Sequence, residues 1–249
     1  MAEMGKLEAA FTANLSETEQ SQFIRYYELL VEWNERMNLT GIVNREEVYG
    51  KHFIDSLIIR DLPEWRSCVS RGGRVADVGT GAGFPGLPLA ILHPTVEFVL
   101  CDSLNKRLVF LEQVLYSLKV KNVTLVHGRA EELARKPNFR NGFDIVVARA
   151  VARLNVLLEW TSPFVKPGGY VLSYKGPGVE AELSDGRRAA ETLKAKVERI
   201  EDLELPEGLG SRKLIVIRQL SPTPKQFPRK AGTASKKPLG EVGVESTDG

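Results

Sequence analysis

Apolar positions near the N-terminus recur at helical spacing. Phe23, Tyr26, Tyr27, Leu30, Trp33 and Met37 stand three or four residues apart, which puts them on one helix face. Ser16 and Glu19 precede them in the S-x-x-E order of a capping box, where each side chain satisfies the other's backbone N–H. The pattern predicts a helix over roughly 17–37. Asn44 with Glu47 is a second start signal, for a helix carrying Val48, Phe53 and Leu57 and closed by Pro63. Residues 1–66 are therefore expected to form an all-α cap.

From residue 72 the texture changes. "GRVADVG", "VEFVLCD", "NVTLVHG", "FDIVVARA" and the end of "KPGGYVLSYKG" read as short buried strands. Between them, "LPLAILH", "LNKRLVFLEQVLYSLKV", "RAEELAR" and "LNVLLEWTSPFV" read as helices. Strands alternating with helices imply a mostly parallel sheet with right-handed crossovers. A helix near 179–196 follows, then "VERIEDLEL" and "RKLIVIRQL", which suit an antiparallel hairpin at one sheet edge. The core is expected over 67–220. Residues 221–249 are rich in Pro, Gly, Ser, Thr and Lys and read as a tail, docked at most in part.

Composition narrows the class. A chain of 249 residues, 43% hydrophobic, is long enough for one sizeable core. The formal net charge is only +2, so any basic footprint must be local. Cys68 and Cys101 form no C-x-x-C pair, and His52, His93 and His127 are scattered. Neither a disulfide framework nor a metal site is expected, and the usage suits a reducing cytoplasm. The N-terminus lacks a basic segment followed by an apolar run, and no apolar run approaches membrane-spanning length, so neither a signal peptide nor a membrane partner is expected.

The chemistry concentrates in "ADVGTGAGFPGLPLA", residues 76–90. Glycines after the first strand of a parallel sheet let a ligand approach the main chain at the strands' carboxyl ends. Two registers compete. Gly81-Ala82-Gly83-Phe84-Pro85-Gly86 matches the dinucleotide pattern G-x-G-x-x-G. Gly79-Thr80-Gly81-Ala82-Gly83 matches the G-x-G-x-G loop of S-adenosylmethionine methyltransferases. The strand ends near Val78, so the turn begins at Gly79. Asp77 stands before the loop, where a pyrophosphate would be repelled. Both points favour the second register. Asp102, at the end of the second strand, is placed to accept ribose hydroxyls in either class, or to cap the following helix. Ala130 and Glu131 follow the third strand, where an adenine would lie.

The fourth strand ends in Ala148-Arg149-Ala150-Val151, with neither the [D/N/S]-P-P-[Y/F] of amine methylation nor a nearby cysteine. An acceptor with a free lone pair fits this. Arg149 would fork a carboxylate or hold an RNA phosphate; a surface salt bridge is the plainer reading. His52 and Asp55 read as a local hydrogen-bonded pair. From Arg212 to Lys237 there are eight Lys or Arg and no Asp or Glu. Lys175 follows the fifth strand.

"WNERMNLTGI", "HFIDSL", "DVGTGAGFPGLPLA", "ARAVA", "KPGGY…YKG" and "FPRKAGTASKKPL" run in this order over roughly residues 20–240. In this the chain resembles the bacterial 16S rRNA (guanine-N7) methyltransferases, RsmG or glucose-inhibited division protein B. The resemblance implies a Rossmann-like methyltransferase fold, a mostly parallel seven-stranded sheet behind an N-terminal helical cap. It implies S-adenosylmethionine as cofactor and N7 of guanine 527 of 16S rRNA, free or in a small-subunit particle, as acceptor. The cofactor site would comprise Gly79, Gly81, Gly83, Phe84, Asp102, Ser103, Leu104, Ala130, Glu131 and Arg149. No general base is expected. RNA contacts would fall on Lys175, Arg229 and Lys230, and the tail would serve RNA while leaving cofactor affinity untouched. An NAD-linked dehydrogenase and a non-catalytic RNA-binding module are the alternatives.

Overall fold

The computed structural model describes residues 5–241. Helix α1 spans Lys6–Thr12 and α2 spans Glu17–Met37. The capping box that starts α2 is formed: Ser16 Oγ accepts from Glu19 N–H (3.3 Å), and Glu19 Oε2 accepts from Ser16 N–H (2.8 Å). Asn44 caps α3, Arg45–Val48, which continues as a π-helix over Tyr49–Ile54. Pro63 does not close this segment. It opens α4, Pro63–Ser70, because at the first helical position its missing N–H costs nothing.

The sheet is built from β1 (Arg74–Val78), β2 (Glu97–Asp102), β3 (Val123–His127), β4 (Phe143–Arg149), β5 (Val165–Lys175), β6 (Ala195–Glu204) and β7 (Ser211–Gln219). Their order is β3-β2-β1-β4-β5-β7-β6. The first five are parallel, and β7 is antiparallel to both β5 and β6. The connecting helices are α5 (Gly86–Leu92), α6 (Asn105–Leu118), α7 (Ala130–Leu133), α8 (Leu154–Thr161) and α9 (Glu180–Thr192); α10 is Thr233–Lys236. The expected mostly parallel seven-stranded sheet and its terminal hairpin are therefore both present.

Strand alternation divides the apolar residues between two faces. Val75, Phe98, Leu100, Ile145 and Val147 pack with Phe23, Tyr26, Leu30 and Phe53 from the N-terminal helices. Ala76, Val78, Val99, Val146 and Val171 pack with Leu154 and Leu158 of α8. The N-terminal helices thus form one covering layer of the sheet and share its core. The boundary expected after residue 66 falls inside α4. A helical layer whose apolar face is buried on the sheet has no core of its own to separate.

Residues 221–241 also differ from the expectation of a tail. Thr223, Phe227 and Ala234 are buried. Arg140 donates to the carbonyls of Thr223 (2.8 Å) and Phe227 (2.8 Å), and Asn155 Nδ2 donates to that of Leu239 (3.0 Å). The backbone carbonyls of this strap find their partners in side chains of the core, which is why its composition alone reads as loose. Residues 242–249 lie outside the described part. Among the described residues, no helix is long and apolar enough to cross a membrane, and no cluster of three His, Cys, Asp or Glu has metal-binding geometry.

Candidate functional site

The glycine loop leaves β1 at its carboxyl end. Gly79 (φ +76°), Gly81 (φ +61°) and Gly83 (φ +100°) occupy left-handed backbone conformations that side chains resist. The N–H groups of Gly79 and Thr80 both donate to the Cys101 carbonyl (2.9 and 3.0 Å). Asp77 braces the loop from beneath: its Oδ2 accepts from Thr80 Oγ1 (2.7 Å) and Gly86 N–H (2.8 Å). Asp77 is fully buried, and burial pushes its carboxyl up to about 6 against those hydrogen bonds. It does not line the ligand cavity, so the expected repulsion of a pyrophosphate by its charge does not describe its role. It is a structural brace.

The loop borders a cavity of about 600 Å3 at the carboxyl ends of the parallel strands. Gly79, Gly81, Phe84, Asp102, Ser103, Ala130, Glu131 and Arg149 all line it. Gly83 and Leu104 do not. A Cβ on Gly83 would stand 2.5 Å from the Tyr26 hydroxyl and 2.8 Å from Leu111 Cδ2, so this glycine admits α2 and α6 against the loop. Leu104 serves through its backbone N–H, which donates to Asp102 Oδ1 (2.8 Å). A Cβ on Gly81, by contrast, meets no protein atom within 4 Å; its open side gives a ligand direct access to the main chain.

Asp102 is only 3% exposed. Its Oδ2 accepts from Gly81 N–H (2.9 Å) and from Arg107 Nη1 (3.1 Å). It therefore fixes the loop while presenting a carboxylate to the cavity. It does not cap α6, whose N-cap is Leu104 with no side-chain bond. Across the cavity, Glu131 Oε1 accepts from Gly232 N–H of the strap (3.0 Å).

The other end of the cavity is lined by Leu39, Thr40, His52, Phe84 and Arg149. His52 stacks on Phe84 with ring centroids 4.5 Å apart, and its Nε2 lies 2.9 Å from Thr40 Oγ1. Burial, with Arg149 and Arg212 nearby, pushes the imidazole down to about 3, so it stays neutral. The expected His52–Asp55 pair does not form. The π-helical stretch turns Asp55 toward two guanidiniums instead, Arg149 (2.8 Å) and Arg212 (2.9 Å). Arg149 also donates to the Lys51 carbonyl (3.2 Å). It is thus a half-buried ion pair joining β4 to the helical layer, neither a surface salt bridge nor a free anion fork.

The RNA candidates separate. Lys175 is engaged with Glu182 (2.8 Å) and the Ala152 carbonyl (2.6 Å), and Arg229 grips buried Glu159 through Nε and Nη2 (2.9 and 2.5 Å). Both are ion-paired within the chain. Lys230 is exposed, as are Lys225, Lys236 and Lys237. Sequence reasoning missed Trp160, Gly232 and Ser235 in the cavity wall. The signal available was Gly232 itself, a positive-φ glycine (φ +80°) inside a segment read as tail.

The cavity fits S-adenosylmethionine: an open glycine loop, a buried carboxylate at the end of the second strand, and no basic phosphate cradle in the loop. Comparison with known proteins agrees. A solved 16S rRNA (adenine(1408)-N(1))-methyltransferase from Catenulisporales acidiphilia has a TM-score of 0.51 at 17% identity, covering 65% of this chain and 92% of that one; the likeness is one of fold. The family model for rRNA small subunit methyltransferase G matches residues 19–215. Ribosomal RNA small subunit methyltransferase G of Brevibacillus brevis is 44% identical over 231 residues, 93% of this chain and 95% of its own. Its namesake from Exiguobacterium sp. is 46% identical over 225 residues, 90% and 93% of the two chains. Fold, site and relatives together define an S-adenosylmethionine-dependent methyltransferase with a Rossmann-like core. The chain belongs to the rRNA small subunit methyltransferase G family.

Proposed function

We propose that the chain methylates N7 of a guanine in 16S rRNA of the small ribosomal subunit, guanine 527 by family resemblance, in the cytoplasm. One observation carries the choice of atom: among the described residues, the acceptor end of the cavity holds no group equipped to remove a proton or attack a base. His52 is held neutral, with its ring nitrogens at Thr40 Oγ1 and beside the Arg149 guanidinium. Burial pushes the Cys101 thiol up to about 12, and Cys68 lies in the other cluster of N-terminal packing, buried and pushed up to about 11. Guanine N7 has a free lone pair and no proton to lose, so it is an acceptor for which these residues suffice, and the family resemblance selects it.

Gly79, Gly81, Phe84, Asp102, Ser103, Ala130, Glu131 and the neighbourhood of Arg149 would hold the cofactor, whose chemistry is an activated methyl on sulfonium. Asp102 and Glu131 orient its adenosine part. Leu39, Thr40, His52 and Phe84 wall the acceptor position, and the contribution of such alignment reaches about 7–11 kcal/mol in favourable cases. Lys225, Lys230, Lys236 and Lys237 have no ion-pair partner among the described residues and offer phosphate contacts.

The test is incubation with S-adenosylmethionine and unmodified 16S rRNA, as naked RNA and as small subunits, followed by mass mapping. A single 7-methylguanosine supports the reading. Methylation at an exocyclic amine or a pyrimidine carbon would overturn the N7 assignment.

A further inference from the structure

The stretch matched by the family model ends at residue 215, yet Gly232 and Ser235 lie in the cavity wall with Gly128, Ala130, Glu131 and Trp160. Two features connect the strap to the cavity interior. Glu131 is 6% exposed and lines the cavity, and one of its carboxylate oxygens is taken by Gly232 N–H. On α8, Glu159 holds the strap through Arg229 (backbone N–H at 2.8 Å, Nε at 2.9 Å), and the next residue, Trp160, lines the cavity. Trp160 Nε1 is, in addition, a buried donor with no partner among the described residues, a state that calls for an explanation.

We propose that the strap, residues 221–241, is an integral wall of the cofactor site that closes its adenine end, and that strap docking and cofactor binding stabilise each other through Glu131 and Trp160. The proposal rests on the S-adenosylmethionine reading of the cavity. Undocking the strap leaves Glu131 Oε1 without its donor, frees that carboxylate to rotate, and opens one side of the cavity to water. Docking fixes the carboxylate with its second oxygen available. A ligand touching Glu131 or the strap must then favour the docked state. By linkage, the factor by which docking strengthens ligand binding equals the factor by which ligand strengthens docking.

Calorimetry with S-adenosylhomocysteine measures the first factor in the full chain, in Glu159→Gln and in Gly232→Ala. Glu159 does not line the cavity, so its replacement acts only through the strap; Gly232 does line it, and alanine there strains the wall itself, at a φ of +80°. Amide hydrogen exchange across 223–240 measures the second. The expected result is binding about tenfold weaker in Glu159→Gln, weakening of several-fold in Gly232→Ala, and slower strap exchange in the full chain on adding S-adenosylhomocysteine. If Glu159→Gln fails to fold, Gly232→Ala and the exchange measurement decide. Affinities within twofold of the parent, or strap exchange indifferent to bound S-adenosylhomocysteine, would overturn the proposal. A full chain that does not bind S-adenosylhomocysteine would instead overturn the cofactor assignment, and this proposal with it.

Discussion

The glycine loop and the strap wall the same cavity from different sides and are held in opposite ways. The loop's anchors are buried: Asp77 and Tyr26 are 0% exposed and Thr80 1%. Tyr26 reaches across from α2 to donate to the Ala82 carbonyl (2.5 Å). The strap's anchors are partly wet guanidiniums. The side chain of Arg229, on Glu159, is 26% exposed, and that of Arg188, whose Nε donates to the Gly240 carbonyl (2.6 Å), is 41% exposed. Hydrogen bonds in a dry shell are strong, and costly to leave unmade. Those at the surface compete with water and contribute less. The loop is therefore expected to open only with the global fold, and the strap to open by itself.

The largest expected effect tests the loop. Gly83→Val adds a branched side chain where even a Cβ stands 2.5 Å from the Tyr26 hydroxyl, at a φ of +100°. Overpacking and left-handed strain together predict a loss of about 3 kcal/mol in global stability, read by urea unfolding. Gly232→Ala on the strap should leave the global transition almost in place. Equal losses at the two glycines would abolish the distinction between a fixed wall and a separable one.

Next in size is Asp102→Ala. The carboxylate ties Gly81, Leu104 and Arg107 together, and losing charge-assisted hydrogen bonds is worth about 1–3 kcal/mol. Calorimetry with S-adenosylhomocysteine should show affinity weakened by that amount in a folded variant. Unchanged affinity would remove Asp102 from the cofactor site and leave it only a loop brace.

The same contrast explains what was legible in the sequence. Backbone demands leave residue-type signatures: the loop glycines, the Ser16–Glu19 box and the alternating strands all correspond to elements of the structure. Long-range side-chain ties leave none. Arg140 is an ordinary charged residue until the fold brings it to the carbonyls of Thr223 and Phe227. Asp55 lies three positions from His52 in sequence, yet it pairs with Arg149 and Arg212, each more than ninety residues away. The basic count over Arg212–Lys237 mixed two populations that only coordinates separate. Arg212, Lys213, Arg218 and Arg229 have carboxylate partners, and the four exposed lysines have none among the described residues.

Those lysines give a smaller and more selective effect. Replacing Lys225, Lys230, Lys236 and Lys237 by Gln removes charge without touching the anchors. RNA binding should weaken about tenfold, and the slope of log affinity against log salt should fall by up to about 3, as read by filter binding across a salt series. S-adenosylhomocysteine affinity should not change. An unaltered salt slope would mean that the outer face of the strap does not meet RNA.

The smallest expected effect is none at all. His52 lines the acceptor end, and its folded pKa is pushed down to about 3. The unfolded chain therefore binds the proton more readily between that value and the ordinary 6.5, and this part of stability is lost as pH falls through that window. Asp77 has the opposite sign. Its folded pKa is raised from 3.8 to about 6, so its contribution is present at low pH and lost as pH rises toward about 6. The two contributions oppose each other in acid, and both titrations are complete by about pH 7. A guanidinium is a donor only and offers no base. If the acceptor is a lone pair on neutral guanine, the single-turnover methylation rate at saturating RNA and cofactor should then be flat from about pH 7 to about pH 9, although a positioned base would contribute about 10²–10⁴-fold where one is used. His52→Gln should alter the amplitude of this profile and not its shape. A rate that rises with a near-neutral apparent pKa, and loses that rise in His52→Gln, would make the imidazole a base. Guanine N7, which has no proton to give up, would then cease to be the natural acceptor.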